Sequence, residues 1–301
     1  MLDLSVIILT YNEELHIRRC LENVKSIAKA IYIVDSYSTD KTLEIAKEYD
    51  QVVVLQHKWE NNHAKQFNWG LVHAPIQTRW VLRLDADEYL TDELKSELIY
   101  RLPDLPEQYT GVIFPLRRVF LGRTIRKGMK PVKLLRLFQY GKANSEIRLM
   151  DEHIQLLEGD SIEFRYEFAD DNLNNLSWWT QKHIGYAIRE AVDLLDIEFG
   201  LTGVAKTDVN KQISRQAQAK RMKKHWYVQQ PLFVRSFVYF CYRYFFKLGF
   251  MEGKEGFLWH FLQGWWYRTL VDAKIFEIKK ICGSDKTKMK DYISTYYKIQ
   301  L

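Results

Sequence analysis

The chain is poor in cysteine and proline and has no long apolar run. Its three cysteines among 301 residues, Cys20, Cys241 and Cys282, lie far apart with no Cys-x-x-Cys pair. A disulfide framework and a zinc knuckle are thereby excluded, and a reducing compartment fits. No stretch reaches the roughly 18 apolar residues of a conventional spanning helix. The opening MLDLSVIILTYNEE has an acid near its start and no basic region, so no secretory signal is expected. Neither Gly-x-Gly-x-x-Gly nor Gly-x-x-x-x-Gly-Lys-Ser/Thr occurs, which removes the main sequence support for a dinucleotide fold or a P-loop. With 47% hydrophobic and 27% charged residues, disordered and fibrous classes are excluded as well.

What is present in the first hundred residues alternates. LSVIILT (4–10), AIYIVD (30–35), Val52–Leu55 and WVLRL (80–84) are apolar, mostly β-branched runs, the pattern of strands buried on both faces. Helical spacing follows the first run, with Asn12 as its cap, and Ser38–Asp40 opens a second helix. His63–His73 is helical too. This alternation predicts an α/β fold with a mostly parallel sheet. Ligands of such sheets bind beyond the carboxyl ends of the strands. That rule selects Thr10–Glu13, Asp35–Asp40 and Asp85–Glu88. Asp85 and Asp87, two apart beyond a buried strand, can converge on one hard cation, Mg²⁺ or Mn²⁺, which would bridge diphosphate oxygens. The competing reading is a solvated acidic turn capping the next helix.

SVIILTYNEE, IYIVDSYSTDKT and WVLRLDADEYL, in that order and spacing, resemble the nucleotide-binding half of a family 2 glycosyltransferase of GT-A fold. Further along, KLLRLF (133–138), MDEHI (150–154), WWTQKHIGYAIREA (178–191) and GFMEGKEGF (249–257) resemble a bacterial subgroup that builds lipopolysaccharide cores and surface polysaccharides. The resemblance implies inverting transfer of a sugar from a nucleotide-sugar donor, usually a UDP-sugar. It implies that Thr10, Tyr11 and Glu13 line the base and ribose pocket, and that Asp35 reads the uracil edge. Many members carry a second aspartate after it; here Ser36 follows. Asp87 corresponds to the direct metal ligand and Asp85 to a residue near the ribose and the metal. Lys65, Gln66 and Asn68 fall where relatives hold the nucleotide from the side, unless that segment is an ordinary amphipathic helix.

Inverting transfer needs a carboxylate near the acceptor hydroxyl. The family pattern puts it at Asp151-Glu152-His153, with Glu152 or Asp151 as the base. His153 is a metal ligand, an acceptor contact or a surface histidine. Asp170-Asp171 reads instead as a loop before the helix at 177–197, with Asn174 and Ser177 as caps. On that helix Trp179, Lys182, His183 and Tyr186 share one face by their spacing. They suit an acceptor carrying sugars and phosphates, the alternative being a packed helix with snorkelling ends.

Charge is uneven. Residues 1–100 hold 11 basic and 16 acidic side chains, and residues 201–301 hold 19 and seven. Of the 43 aromatic residues, 17 lie between His225 and Tyr267. Such a segment suits the headgroup interface of an anionic membrane. Self-association, or extension of the core, and nucleic-acid binding are the competing readings, and nucleic acid is the least expected partner. The expected organisation is a GT-A catalytic domain over 1–215 and a basic, aromatic helical appendage over 216–301. The expected location is cytoplasmic, peripheral on the inner face of the cytoplasmic membrane, with a saccharide or lipid-linked acceptor. The rival functions are a nucleotide-sugar-binding protein without catalysis and a nucleotidyltransferase.

Overall fold

The computed structural model describes residues 1–147, 152–202, 222 and 224–301. These form two compact units. The first comprises 1–124 and the described part of 131–173, and the second 125–130 with the described residues from 174 on. The boundary expected at 215–216 lies outside the described residues.

The first unit is built on a sheet ordered β3-β2-β1-β4-β8-β6-β12-β5, with β7 (Arg123–Thr124) and β11 (Asp160–Glu163) also pairing with β6. Its parallel half comprises β1 (Leu4–Thr10), β2 (Ala30–Asp35), β3 (Val52–Gln56) and β4 (Trp80–Asp85). The continuous apolar runs form these strands because both faces are covered. Val6, Ile8, Ile31, Ile33, Leu82 and Leu84 enter one core, which α1 (Ile17–Val24), α2 (Thr42–Ala46) and α4 (Asp92–Arg101) cover. Ile7, Tyr32, Val34 and Val81 point to the other side, against Phe67 and Leu71 of α3 (His63–His73). β8 (Val132–Gln139) runs antiparallel between β4 and β6 (Tyr109–Phe120). β12 (Phe168–Asp171) lies parallel to β6 and antiparallel to β5 (Glu88–Leu90). The segment read as a loop at Asp170-Asp171 is therefore a strand end. β9 (Ala143–Ser145) and β10 (Ile154–Leu156) form a small separate ladder.

The second unit is helical. α5 (Leu176–Phe199) is capped by Asn175, whose side chain accepts from the Trp178 N–H, rather than by Asn174 or Ser177. It packs on α8 (Tyr267–Cys282). Between them in sequence are α6 (Val234–Cys241), a π-helical turn (Tyr242–Phe246), a 3₁₀ turn (Gly249–Glu252), α7 (Gly253–Trp259) and a second π-helical stretch (His260–Trp266). α9 (Lys286–Tyr297) ends the unit. Among the described residues, no helix is long and apolar enough to cross a membrane. The α/β sheet flanked by helices, followed by further helices, is the fold class expected from the sequence.

Candidate active site

Parallel pairing sets the site. Thr10 is in register with Asp35, and Leu9 with Asp85, so three strand ends open side by side. Asn12 does not cap a helix. It adopts a left-handed conformation (φ 56°), its N–H donates to Ser38 Oγ, and its Oδ1 accepts from the Thr39 N–H. The loops after β1 and β2 are thus laced together, leaving Tyr11 exposed at their rim.

Asp35 is at the centre of that lacing and is 0% exposed. Its Oδ1 accepts from Thr10 Oγ1 at 2.9 Å, and its Oδ2 accepts from the Ser38 N–H at 2.9 Å. Glu13 is bound through its N–H to Thr42 Oγ1 and through its carboxylate to His16 Nδ1 at 2.6 Å. The Leu173 N–H donates to His16 Nε2, so the imidazole proton sits on Nδ1 and points at Glu13.

On α3, Lys65 pairs with Glu60 at 3.0 Å. Gln66 is buried, accepts through Oε1 from His57 Nδ1 at 2.7 Å, and donates through Nε2 to Ser36 Oγ at 3.0 Å. Asn68 exchanges two 2.8 Å hydrogen bonds with the backbone of Ser145. Gln66 and Asn68 therefore spend their amides on holding neighbouring segments.

Beyond β4 the carboxylates have distinct partners. Asp87 Oδ2 accepts from Asn172 Nδ2 at 2.9 Å. Its backbone carbonyl accepts from Arg19 Nη2 and from the Asp171 N–H, and Arg19 also pairs with Asp171 at 2.7 Å. Asp85 lies 3.8 Å from Arg83 Nε and 3.5 Å from Arg136 Nη2. The next acid, Glu88, is buried, accepts from the Asp85 N–H and pairs with Arg136. Burial pushes the Glu88 carboxyl well up, against the pull of Arg136. Glu152 Oε1 is 3.4 Å from Arg83 Nη2, so Arg83 spans the gap from Asp85 to Glu152.

Asp151 lies outside the described residues. His153 sits just before β10, and its carbonyl accepts from the Glu146 N–H. Among the described residues, no three His, Cys, Asp and Glu side chains cluster as a metal cage. Two half-exposed carboxylates of hard oxygen donors nevertheless fit a divalent cation that completes its shell with a ligand's phosphates and water.

Trp179, Lys182, His183 and Tyr186 belong to the second unit. His183 stacks on Trp179 at 3.5 Å and meets Tyr186 and Tyr267 edge-on. Lys182 Nζ lies 4.4 Å from the Trp178 ring centroid. Trp179 also approaches Trp259 and Trp266, so this face is half-buried within its own unit. The residues that the sequence reading missed are Arg19, Arg83, Arg136, Asp171 and Asn172. One signal was available: an arginine inside an otherwise apolar strand, two positions before Asp85.

The family model for glycosyl transferase family 2 matches residues 5–155, half of the chain. The chain belongs to glycosyl transferase family 2. Within this family it resembles an uncharacterized glycosyltransferase of Rickettsia bellii (strain RML369-C), with 37% identity over 97 residues, 32% of each protein. It also resembles the lipopolysaccharide core biosynthesis glycosyltransferase LpsC of Rhizobium meliloti (strain 1021), with 28% identity over 152 residues, 48% of this chain and 54% of LpsC. The chain thus spans about a third to a half of the length of these family 2 relatives. A crystal structure of S. aureus TarS residues 1–349 aligns over 99% of this chain and 92% of that one, at 15% identity and a TM-score of 0.46. The family 2 match covers the three strand ends and Glu152, and stops before α5.

Proposed function

We propose that this chain transfers a sugar, with inversion, from a nucleotide-sugar donor to a saccharide acceptor. The donor is a UDP-sugar and the acceptor is lipid-linked, in the building of lipopolysaccharide or another surface polysaccharide. The name of LpsC supports that setting. The observation that carries the reading is the span of Arg83 between Asp85 and Glu152. It joins a cation-binding strand end to an acid 67 positions later in the chain, the two halves that inverting transfer needs.

In this reading Thr10, Tyr11 and Glu13 form the wall for base and ribose. Asp35 and Gln66 keep the loops after β1, β2 and β3 in place, and Lys65 and Asn68 border the nucleotide. Asp87, with Asp85 and with His153 as a third donor, would hold Mg²⁺ or Mn²⁺. That cation supplies charge neutralisation for the departing diphosphate. Glu152 takes the proton from the acceptor hydroxyl as its oxygen bonds to the anomeric carbon. The bond from that carbon to the diphosphate breaks, and its electron pair leaves with the nucleotide. Arg83 fixes the orientation of Glu152, and Asp151 is its neighbour in the same motif. Trp179, Lys182, His183 and Tyr186 would meet sugar rings and phosphates of the acceptor. The C-terminal region would hold the protein on the inner face of the cytoplasmic membrane.

A panel of nucleotide sugars, assayed for nucleotide release with Mn²⁺ or Mg²⁺, tests the reading. It predicts release from one uridine donor and loss of release with chelator. Binding of a donor without release under any condition would favour the catalytically silent alternative, and transfer of a nucleotidyl group would favour the other.

A further inference from the structure

The helix from Val234 to Phe246 is inside out. Its charged side chains face inward. Arg235 is buried and donates to Asp272 Oδ1 of α8 through Nε at 2.8 Å and Nη2 at 2.6 Å. Ser236 lies 3.1 Å from Thr269 Oγ1. Arg243 is 1% exposed and donates to Gln263 of the second π-helical stretch. Apart from Phe240, which is buried and stacks on Trp265, its apolar side chains lie largely on the outward side. Val234, Phe237, Val238 and Tyr242 are exposed at positions that repeat on one helical face, and Phe245 and Phe246 extend it. The wider π-helical turn, which adds about one residue per turn, keeps both phenylalanines outward; Phe246 is 79% exposed.

The stripe broadens beyond the helix. Leu248, Phe250, Met251 and Phe257 are exposed in the next two turns. Tyr244 joins them through ring contacts to Phe245, Phe250 and Phe257 at 5.2–6.3 Å. A contiguous aromatic surface of this kind marks an apolar partner.

Charge decides which partner. Lys247 and Lys254 are exposed within the stripe. Of the two acids in this stretch, Glu252 is buried and accepts from the N–H groups of Arg126 and Lys127, and Glu255 is half-buried beside Lys254. The surface therefore presents rings and ammonium groups together. That combination matches the headgroup–acyl boundary of an anionic bilayer, where rings sit at the polar–apolar border and cations meet phosphate. A second copy of this chain would instead bring lysines against lysines.

We infer that the outward face of Val234–Phe246, extended by Phe250, Met251 and Phe257, is the surface that seats this protein on anionic lipid. The inference rests on the peripheral-membrane part of the proposed function and narrows it to one element. Burial of Arg235 against Asp272 and of Arg243 against Gln263 turns the apolar face out, and the lysines select the lipid charge.

The test is co-sedimentation of the full chain with vesicles of phosphatidylcholine alone or with phosphatidylglycerol. Wild type should pellet with the anionic vesicles and less with neutral ones. The variant F237S/F245S/F246S should lose binding by roughly tenfold or more, while its circular dichroism, melting temperature and nucleotide release in solution stay unchanged. If the triple variant misfolds, Lys247→Gln with Lys254→Gln gives a second reading: weaker binding to anionic vesicles only, and less dependence on salt. Equal pelleting of the wild type and the triple variant overturns this inference and leaves peripheral attachment elsewhere. Wild type that ignores both vesicles overturns attachment as well. A concentration-dependent dimer abolished by the triple variant assigns the surface to a second copy and overturns the lipid partner.

Discussion

Glu152 Oε1 lies 3.4 Å from Nη2 of Arg83, and the same guanidinium lies 3.8 Å from Asp85. An arginine on the fourth strand thus connects two acids that are far apart in sequence. Exchanging Glu152→Gln keeps size and polarity but removes proton acceptance. Turnover should fall about 10²–10⁴-fold while calorimetric affinity for UDP with Mn²⁺ stays near wild type. Near-normal turnover would move the base to Asp151 or elsewhere.

Asn172 donates to Asp87 at 2.9 Å, and in the proposed reading it orients a carboxylate that would hold the cation. Asp87→Ala should abolish cation-dependent binding of UDP. Asn172→Ala should weaken the affinity for Mn²⁺ by about 10–100-fold without unfolding the chain. Calorimetric titration of each variant checks this, and unchanged cation dependence in Asp87→Ala would remove Asp87 from the site.

Asp272 is fully buried against Arg235 and also accepts from the Phe233 N–H at 2.8 Å. Truncating it to alanine leaves a buried guanidinium without its counter-charge. The second unit should lose about 3–5 kcal/mol, read as a lower denaturation midpoint. Replacing Arg235 and Asp272 together by apolar residues should recover much of that loss.

His260 carries a pH dependence. Its ring is fully buried, neither nitrogen has a hydrogen-bond partner among the described residues, and Arg243 faces it. Gly128 and Gly249 close over it: a Cβ at Gly128, which has φ +78°, would sit 2.0 Å from Cε1. Burial, and then Arg243, lowers its pKa from 6.5 to about 4. The unfolded chain therefore binds this proton first as the pH falls. The contribution of neutral His260 is complete above pH 6.5 and is lost between 6.5 and about 4, at up to about 1.4 kcal/mol per pH unit. Denaturation midpoints across that window should fall more steeply for wild type than for His260→Gln. Parallel curves would show that His260 titrates normally.

The first half of the molecule was readable because burial on both faces writes itself as uninterrupted apolar runs. β1, β2 and α3 fall where periodicity puts them. β12 was not readable, since Phe168 and Ala169 are its only buried positions and two acids end it. Its role depends on Arg19, some 150 positions away. Asp35, Gln66 and Asn68 were expected to contact the nucleotide; their side-chain hydrogen bonds go to neighbouring loops, which spacing alone does not reveal. In the second unit the aromatic content was plain, but the inward turn of Arg235 and Arg243 was not. Local sequence shows that charges and rings alternate; only the partners Asp272 and Gln263, 37 and 20 residues later, decide which side is buried.

The account centres on a base that activates the acceptor and on the absence of a covalent sugar–enzyme step. Proton NMR of the product at the anomeric position, with the donor identified by nucleotide release, tests it most directly. Inversion relative to the donor is the predicted result. Retained configuration would contradict the role given to Glu152.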